Sequence, residues 1–137
     1  MKKIVIWGTG QYASYIFKDI LMNKCFFEGF VDNNNEKQNR LWENQYRIYS
    51  LEKSIELDID YYLISAMYYK EQILSQAQSL GIENKLIWYW HDDLSQYEFI
   101  NNTSYLKENI LLKIKIDNLQ RQVDTAPYEY GQSPVKI

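Results

Sequence analysis

The first thirteen residues limit the possible folds more than any other segment. Lys3 to Trp7 is a short, largely apolar run rich in β-branched residues, and it stops at Gly8. A strand wetted on one face alternates polar and apolar positions; one without alternation is buried on both faces, as in a parallel sheet. Gly8-Thr9-Gly10-Gln11-Tyr12-Ala13 follows at once and fits the G-x-G-x-x-G/A spacing. There the first glycine permits a tight turn, the second lets the backbone approach a pyrophosphate, and the small third residue keeps helix and sheet close. From Gln11 to Asn23 the period becomes helical, with Ala13, Ile16, Phe17, Ile20 and Leu21 on one face. A strand, a glycine turn and a helix in this order offer an anion free N–H groups and the positive end of a helix dipole.

The pattern continues along the chain. Phe26 to Val31 reads as a second strand, with Asp32 at its carboxyl end and an Asn33-Asn34-Asn35 turn beyond. Asp32 follows Gly10 by 22 residues, close to the spacing of about 20 at which an acidic residue meets the ribose hydroxyls of a dinucleotide. A carboxylate there accepts from a ribose diol and repels a 2′-phosphate, which disfavours NADP. Tyr46 to Tyr49 is a short strand, and Ser50 caps a brief helix through about Glu56. Tyr61 to Ile64 is the fourth strand and runs into Ser65-Ala66-Met67. A helix from about Met67 to Leu80 carries Ile73, Leu74, Ala77 and Leu80 on one side, with Gly81 at its stop. Leu86 to Tyr89 is the last strand. This alternation predicts an α/β fold: a Rossmann-like parallel sheet ordered 3-2-1-4-5, helices on both faces, and right-handed crossovers.

Ligands in such sheets gather where strand order reverses, outside the carboxyl ends of the strands. The candidate ligand-binding residues are therefore Gly8, Thr9, Gly10, Gln11, Asp32, Asn33, Ser65 and Ala66. Ser65 is expected to cap the helix after it, a role compatible with donating to a phosphate. A purely structural alternative stands beside this reading: the glycines make a tight turn and Asp32 caps the next loop.

Beyond Trp90 the pattern lapses until a helix over about Ser104 to Val123. Its Tyr105, Asn109, Leu112, Ile116, Leu119 and Val123 are spaced 4, 3, 4, 3, 4, a short coiled-coil seam. Residues 124–137 hold both prolines, Pro127 and Pro134, and Gly131, a linker composition. The expected organisation is a nucleotide-binding domain over 1–90, a connector and amphipathic helix over 91–123, and a linker or tail over 124–137. The helix predicts a homodimer, and the tail predicts a further catalytic domain.

Composition removes other classes. Net charge is −3 with no basic run, whereas a nucleic-acid partner needs a basic face to displace counterions. Nothing resembles a signal peptide or a membrane span, so a cytoplasmic location is expected. Cys25 is the single cysteine, which excludes an internal disulfide and a cysteine metal cluster. Tyr49 and Lys53 match a Tyr-x-x-x-Lys pair, but 13 tyrosines make a chance match unsurprising. His91, the only histidine, lies beside Asp92 and Asp93 without a second His or Cys to complete a site. Lys2 and Lys3 read as solvated. No catalytic or metal-binding residue is assigned.

Lys3-Ile4-Val5-Ile6-Trp7-Gly8-Thr9-Gly10, Gly29-Phe30-Val31-Asp32-Asn33 and Ile64-Ser65-Ala66 resemble the Rossmann-like domain of bacterial surface-polysaccharide enzymes. Similar domains begin sugar acetyltransferases acting on UDP-amino-sugars, precede the catalytic regions of nucleotide-sugar dehydratases, and are attached to some glycosyltransferases and methyltransferases. The resemblance spans about Met1 to Trp90. It implies contact with a UDP-sugar through Gly8, Gly10, Asp32 and Asn33. No left-handed β-helix repeats and no second dehydratase half follow, so the activity of those enzymes does not transfer. The expected function is nucleotide or nucleotide-sugar binding within a larger glycan-assembly enzyme, a transferase among the possibilities. The alternatives are an interaction or dimerisation module without ligand, and an NAD-dependent oxidoreductase. For the last, one mononucleotide-binding half leaves too little chain for cofactor and substrate together.

Overall fold

A computed structural model describes residues 1–20, 25–66, 69–100 and 104–125. The chain divides into two units, Met1–Ser104 and Tyr105–Ile137. The first holds β1 (Lys3–Trp7), α1 (Gln11–Ile20), β2 (Phe26–Val31), β3 (Leu41–Trp42), β4 (Tyr46–Tyr49), α2 (Leu51–Ile55), β5 (Tyr61–Ile64), α3 (Lys70–Ser79) and β6 (Leu86–Trp88). The second contributes α4 (Ser104–Thr125).

The result is a mixed α/β unit around a six-stranded sheet ordered β3-β4-β2-β1-β5-β6. This corrects the expected five-stranded, all-parallel sheet. An edge strand, β3, is added and runs antiparallel to β4; the pairs β4–β2, β2–β1, β1–β5 and β5–β6 are parallel. Nothing in the sequence marks β3, which is two residues long and lies in a polar stretch without an Asn-Gly turn. Its residues are held by aromatic packing: Trp42 meets Phe17 of α1 at 4.9 Å and Phe30 of β2 at 4.5 Å.

Successive side chains of a strand point to opposite faces, and the central strands use both. Val5, Trp7, Val31, Tyr62 and Ile64 pack with Ile73 and Ala77 of α3. Phe30 turns the other way and meets Phe17 of α1 at 6.1 Å. The crossovers from β1 to β2 and from β5 to β6 step outward in opposite directions, so a shared right-handed sense puts α1 and α3 on opposite faces. Ile4, Val5, Ile6, Phe30, Val31 and Leu63 are completely buried, which is why these strands lack alternation.

Element ends differ from expectation in detail. α3 begins at Lys70 rather than near Met67, and Met67 lies outside the described residues. α1 is described to Ile20; Leu21 to Asn23 fall outside. Ser50 caps α2 as expected, accepting from the Lys53 N–H at 3.1 Å. Lys3 is not simply solvated, since its Nζ donates to the Leu57 carbonyl at 2.9 Å. The first unit runs past residue 90 to Ser104 because Trp90, Leu94, Phe99 and Ile100 are buried, with Phe99 stacked on Tyr61 at 5.2 Å. Residues 126–137, most of the expected tail, are outside the described residues.

The β3–β4 turn carries backbone strain. Glu43 and Asn44 have φ of 50° and 58°, and the Gln45 N–H donates to the Trp42 carbonyl at 3.1 Å. Two central residues at positive φ make a type I′ turn, for which Asn is suited and Glu is not. Glu43→Asn is therefore expected to stabilise the chain by about 1 kcal/mol, read as a higher urea midpoint at unchanged slope. An unchanged or lower midpoint would show that the turn is unstrained.

Candidate functional site

β1, β2 and β5 end together at one edge of the sheet, and their loops enclose a cleft of about 480 Å³. All eight residues singled out from the sequence line it: Gly8, Thr9, Gly10, Gln11, Asp32, Asn33, Ser65 and Ala66. They come from three separated segments, brought together by the register Trp7↔Val31 and Trp7↔Ile64.

Gly8 makes the turn. Its φ is +114°, its N–H donates to the Val31 carbonyl at 2.7 Å, and a Cβ there would lie 2.3 Å from Ser65 Oγ. Ser65 is buried, and its hydroxyl donates to the Trp7 carbonyl at 2.9 Å. That corrects the helix-cap role expected of Ser65. Its single proton is directed to β1 in this arrangement, and α3 starts too far on for Ser65 to cap it. The Ser65 carbonyl in turn accepts from Trp90 Nε1 at 2.9 Å, which fixes the end of β5 beneath the cleft.

Gly10 differs from Gly8. It has no positive φ, and a Cβ built on it meets nothing within 4 Å. No steric or conformational demand inside the protein requires glycine at this position, and the missing side chain leaves the backbone open to the cleft. α1 starts at the next residue, and Ala13 is completely buried where the helix meets the sheet. The first N–H groups of a helix have no intrahelical acceptor, and here they border the open glycine.

Asp32 does two jobs. Oδ1 accepts from the Asn34 N–H at 2.8 Å, as a loop cap does, and Oδ2 accepts from Thr9 Oγ1 at 2.5 Å. Two carboxylate oxygens offer about four lone-pair directions, so acceptor capacity is left for a ligand. Lys37 was not foreseen. Its Nζ donates to Thr9 Oγ1 at 3.2 Å and lies 4.0 Å from Asp32 Oδ2. Thr9 therefore ties the glycine turn to the loop after β2, donating to the acid and accepting from the base. Asn33 Nδ2 donates to Gln76 Oε1 of α3 at 3.0 Å and spans one side of the crevice.

The remaining walls are Trp7, Tyr12, Tyr69, Gln72 and Ile73. Tyr12 packs edge-on against Trp90 at 6.0 Å, whereas Tyr69 is 63% exposed. Periodicity placed Trp7 on a strand and Ile73 on the inner face of a helix, but assigned neither these two nor Tyr12, Tyr69 and Gln72 to the cleft. The available signal was the tendency of tyrosine to border clefts.

The weaker candidates lie elsewhere. Tyr49 and Lys53 do not line the cleft. Burial, then the Glu28 carboxylate, pushes the Tyr49 phenol above its ordinary value, the reverse of what an acid-base tyrosine needs. His91 is exposed in a turn whose Asp92 and Asp93 accept the N–H groups of Trp88 and Ser95. Cys25 is half-buried, and burial pushes its thiol up. Among the described residues no group of metal-ligating side chains gathers, and no helix is long and apolar enough to cross a membrane.

Comparison with known proteins gives one family match. The family described as C2185-like, N-terminal, matches residues 1–88 of the 137. No curated protein matches. Among solved structures, UDP-D-quinovosamine 4-dehydrogenase from Vibrio fischeri is similar at 19% identity and a TM-score of 0.48, over 60% of this chain and 72% of that one.

Proposed function

We propose that this chain, which belongs to the C2185-like N-terminal family, binds a nucleotide or nucleotide-sugar through the cleft at the ends of β1, β2 and β5. The observation that carries the reading is Gly10, a glycine that the protein's own packing does not require, at the mouth of the cleft. A diphosphate approaching the backbone there would meet the N–H groups opening α1 and the favourable end of its dipole. Asp32 stands where a ribose diol could donate to it, and a volume of about 480 Å³ lies within the usual range of small-molecule sites. The sequence resemblance to bacterial surface-polysaccharide enzymes favours a UDP-sugar, with NAD as the dinucleotide alternative. In this reading the first unit is a Rossmann-like substrate-binding or regulatory domain, serving a catalytic region of a glycan-assembly enzyme.

Thermal unfolding tests it. A ligand of the native state stabilises by mass action, by about 2.7 kcal/mol at one hundred times its dissociation constant. Millimolar UDP-sugar, CDP-sugar or NAD is expected to raise the melting temperature on the order of 10 °C for a unit of this size. Gly10→Val should abolish the shift while leaving the protein folded, with at most the modest cost of a poorer helix N-cap, because a Cβ there meets nothing within 4 Å. Flat curves with all three ligands, or a shift that survives Gly10→Val, would refute the cradle.

A further inference from the structure

We propose that α4 pairs with α4 of a second copy of this chain as a parallel, in-register, two-stranded coiled coil. The inference is independent of any ligand in the cleft and rests on the pattern over residues 108–122. With Asn109 and Ile116 at the a positions and Leu112 and Leu119 at d, the seam repeats every seven residues. Leu112, Ile116 and Leu119 are 56%, 55% and 52% exposed, and Glu108, Asn109 and Lys113 beside them are exposed as well. Three large aliphatic residues in one line on a 22-residue helix form an apolar stripe that is exposed among the described residues.

The residue types select the occupant. A β-branched residue at a with leucine at d favours two strands, and one Asn at an a position specifies register and dimer at some cost in stability. In a parallel pair Asn109 faces its own counterpart and the two amides can bond. In an antiparallel pair it faces an apolar residue and is left unsatisfied. The flanking charges agree. Glu108 occupies a g position and Lys113 the e position five residues later, so in a parallel dimer each Glu108 meets the Lys113 of the other copy, twice by symmetry. This complementarity is toward an identical helix in one orientation, which an unrelated apolar partner would not require.

Sedimentation of the full chain from about 1 to 200 μM, together with disulfide trapping, tests the proposal. The wild type should be a dimer at the upper end, and Ile116→Asp should weaken association at least about 100-fold. That position is exposed, so the fold itself should be untouched, which circular dichroism checks. Glu108→Lys should weaken association about fivefold, on the scale of exposed ion pairs, and adding Lys113→Glu should restore it. In a Cys25→Ser background, Asn109→Cys should oxidise to a covalent dimer, because facing a positions of an in-register pair fall within disulfide reach. A monomer throughout the range, a dimer indifferent to Ile116→Asp, or a dimer that Asn109→Cys fails to cross-link would each overturn it.

Discussion

Gly8→Ala is expected to destabilise the first unit by about 2–5 kcal/mol, combining strain at a Gly-only φ with the disruption of a buried hydrogen bond. At φ +114° an L-residue is strained whatever the surrounding space, and here the space is also taken, since the new Cβ would lie 2.3 Å from Ser65 Oγ. Ser65 could relieve the overlap only by turning away from the Trp7 carbonyl that its hydroxyl now reaches at 2.9 Å. At 3% exposure it has little water to turn toward. Urea unfolding of Gly8→Ala, Ser65→Ala and the double variant separates the two causes. The steric part should vanish in the double variant and the strain should remain, so the double should cost less than the sum of the singles. A Gly8→Ala protein within 1 kcal/mol of wild type would contradict the turn geometry.

Asp32→Ala should weaken nucleotide binding about 10–100-fold, the scale of a hydrogen bond to a charged group. It should also cost the free protein about 1–3 kcal/mol, since the Asn34 N–H and the Thr9 hydroxyl lose their acceptor. The exposed Lys37 adds little to either figure, because ion pairs in contact with water contribute weakly. Asp32→Asn distinguishes the two roles. It keeps an acceptor for Asn34 while removing the charge and half of the acceptor capacity that a ribose diol would use. Calorimetric titration with the nucleotide that shifts the melting curve, set beside urea midpoints, reads both effects. If Asp32→Ala lowers stability and leaves affinity unchanged, Asp32 is a loop cap and nothing more.

Helix spans were legible where local pattern decides them. α2 has its Ser50 cap, and α3 ends at Ser79 with Leu80 as its C-cap, just before Gly81, whose φ is +71°. The start of α3 was not legible, because the loop joining β5 to it carries apolar and aromatic residues that continue a helical pattern on paper. β3 was invisible for the opposite reason. Its residues have weak strand signals, and it exists because Trp42 finds Phe17 and Phe30 across the sheet. The expected parallel order 3-2-1-4-5 gave no place to such an edge. A strand held by long-range packing leaves no periodic trace in two residues.

The sequence by itself determined eight of the residues that meet in the cleft. Gly8, Gly10, Asp32 and Ser65 each end a strand or open a helix, and parallel strands in register must bring such ends to one edge. Only the tertiary structure decided what each residue does there, because hydrogen bonds depend on positions set by distant parts of the chain. Ser65 is turned inward to β1 by the closeness of Gly8, and Thr9 joins Asp32 to a lysine that no spacing rule connects to it. Gly10 is left facing open space. Composition and period specify where backbone goes, since burial of apolar side chains is non-directional and averages over a segment. A hydrogen bond is directional and belongs to one pair of atoms, so its partner becomes known only once the chain has folded.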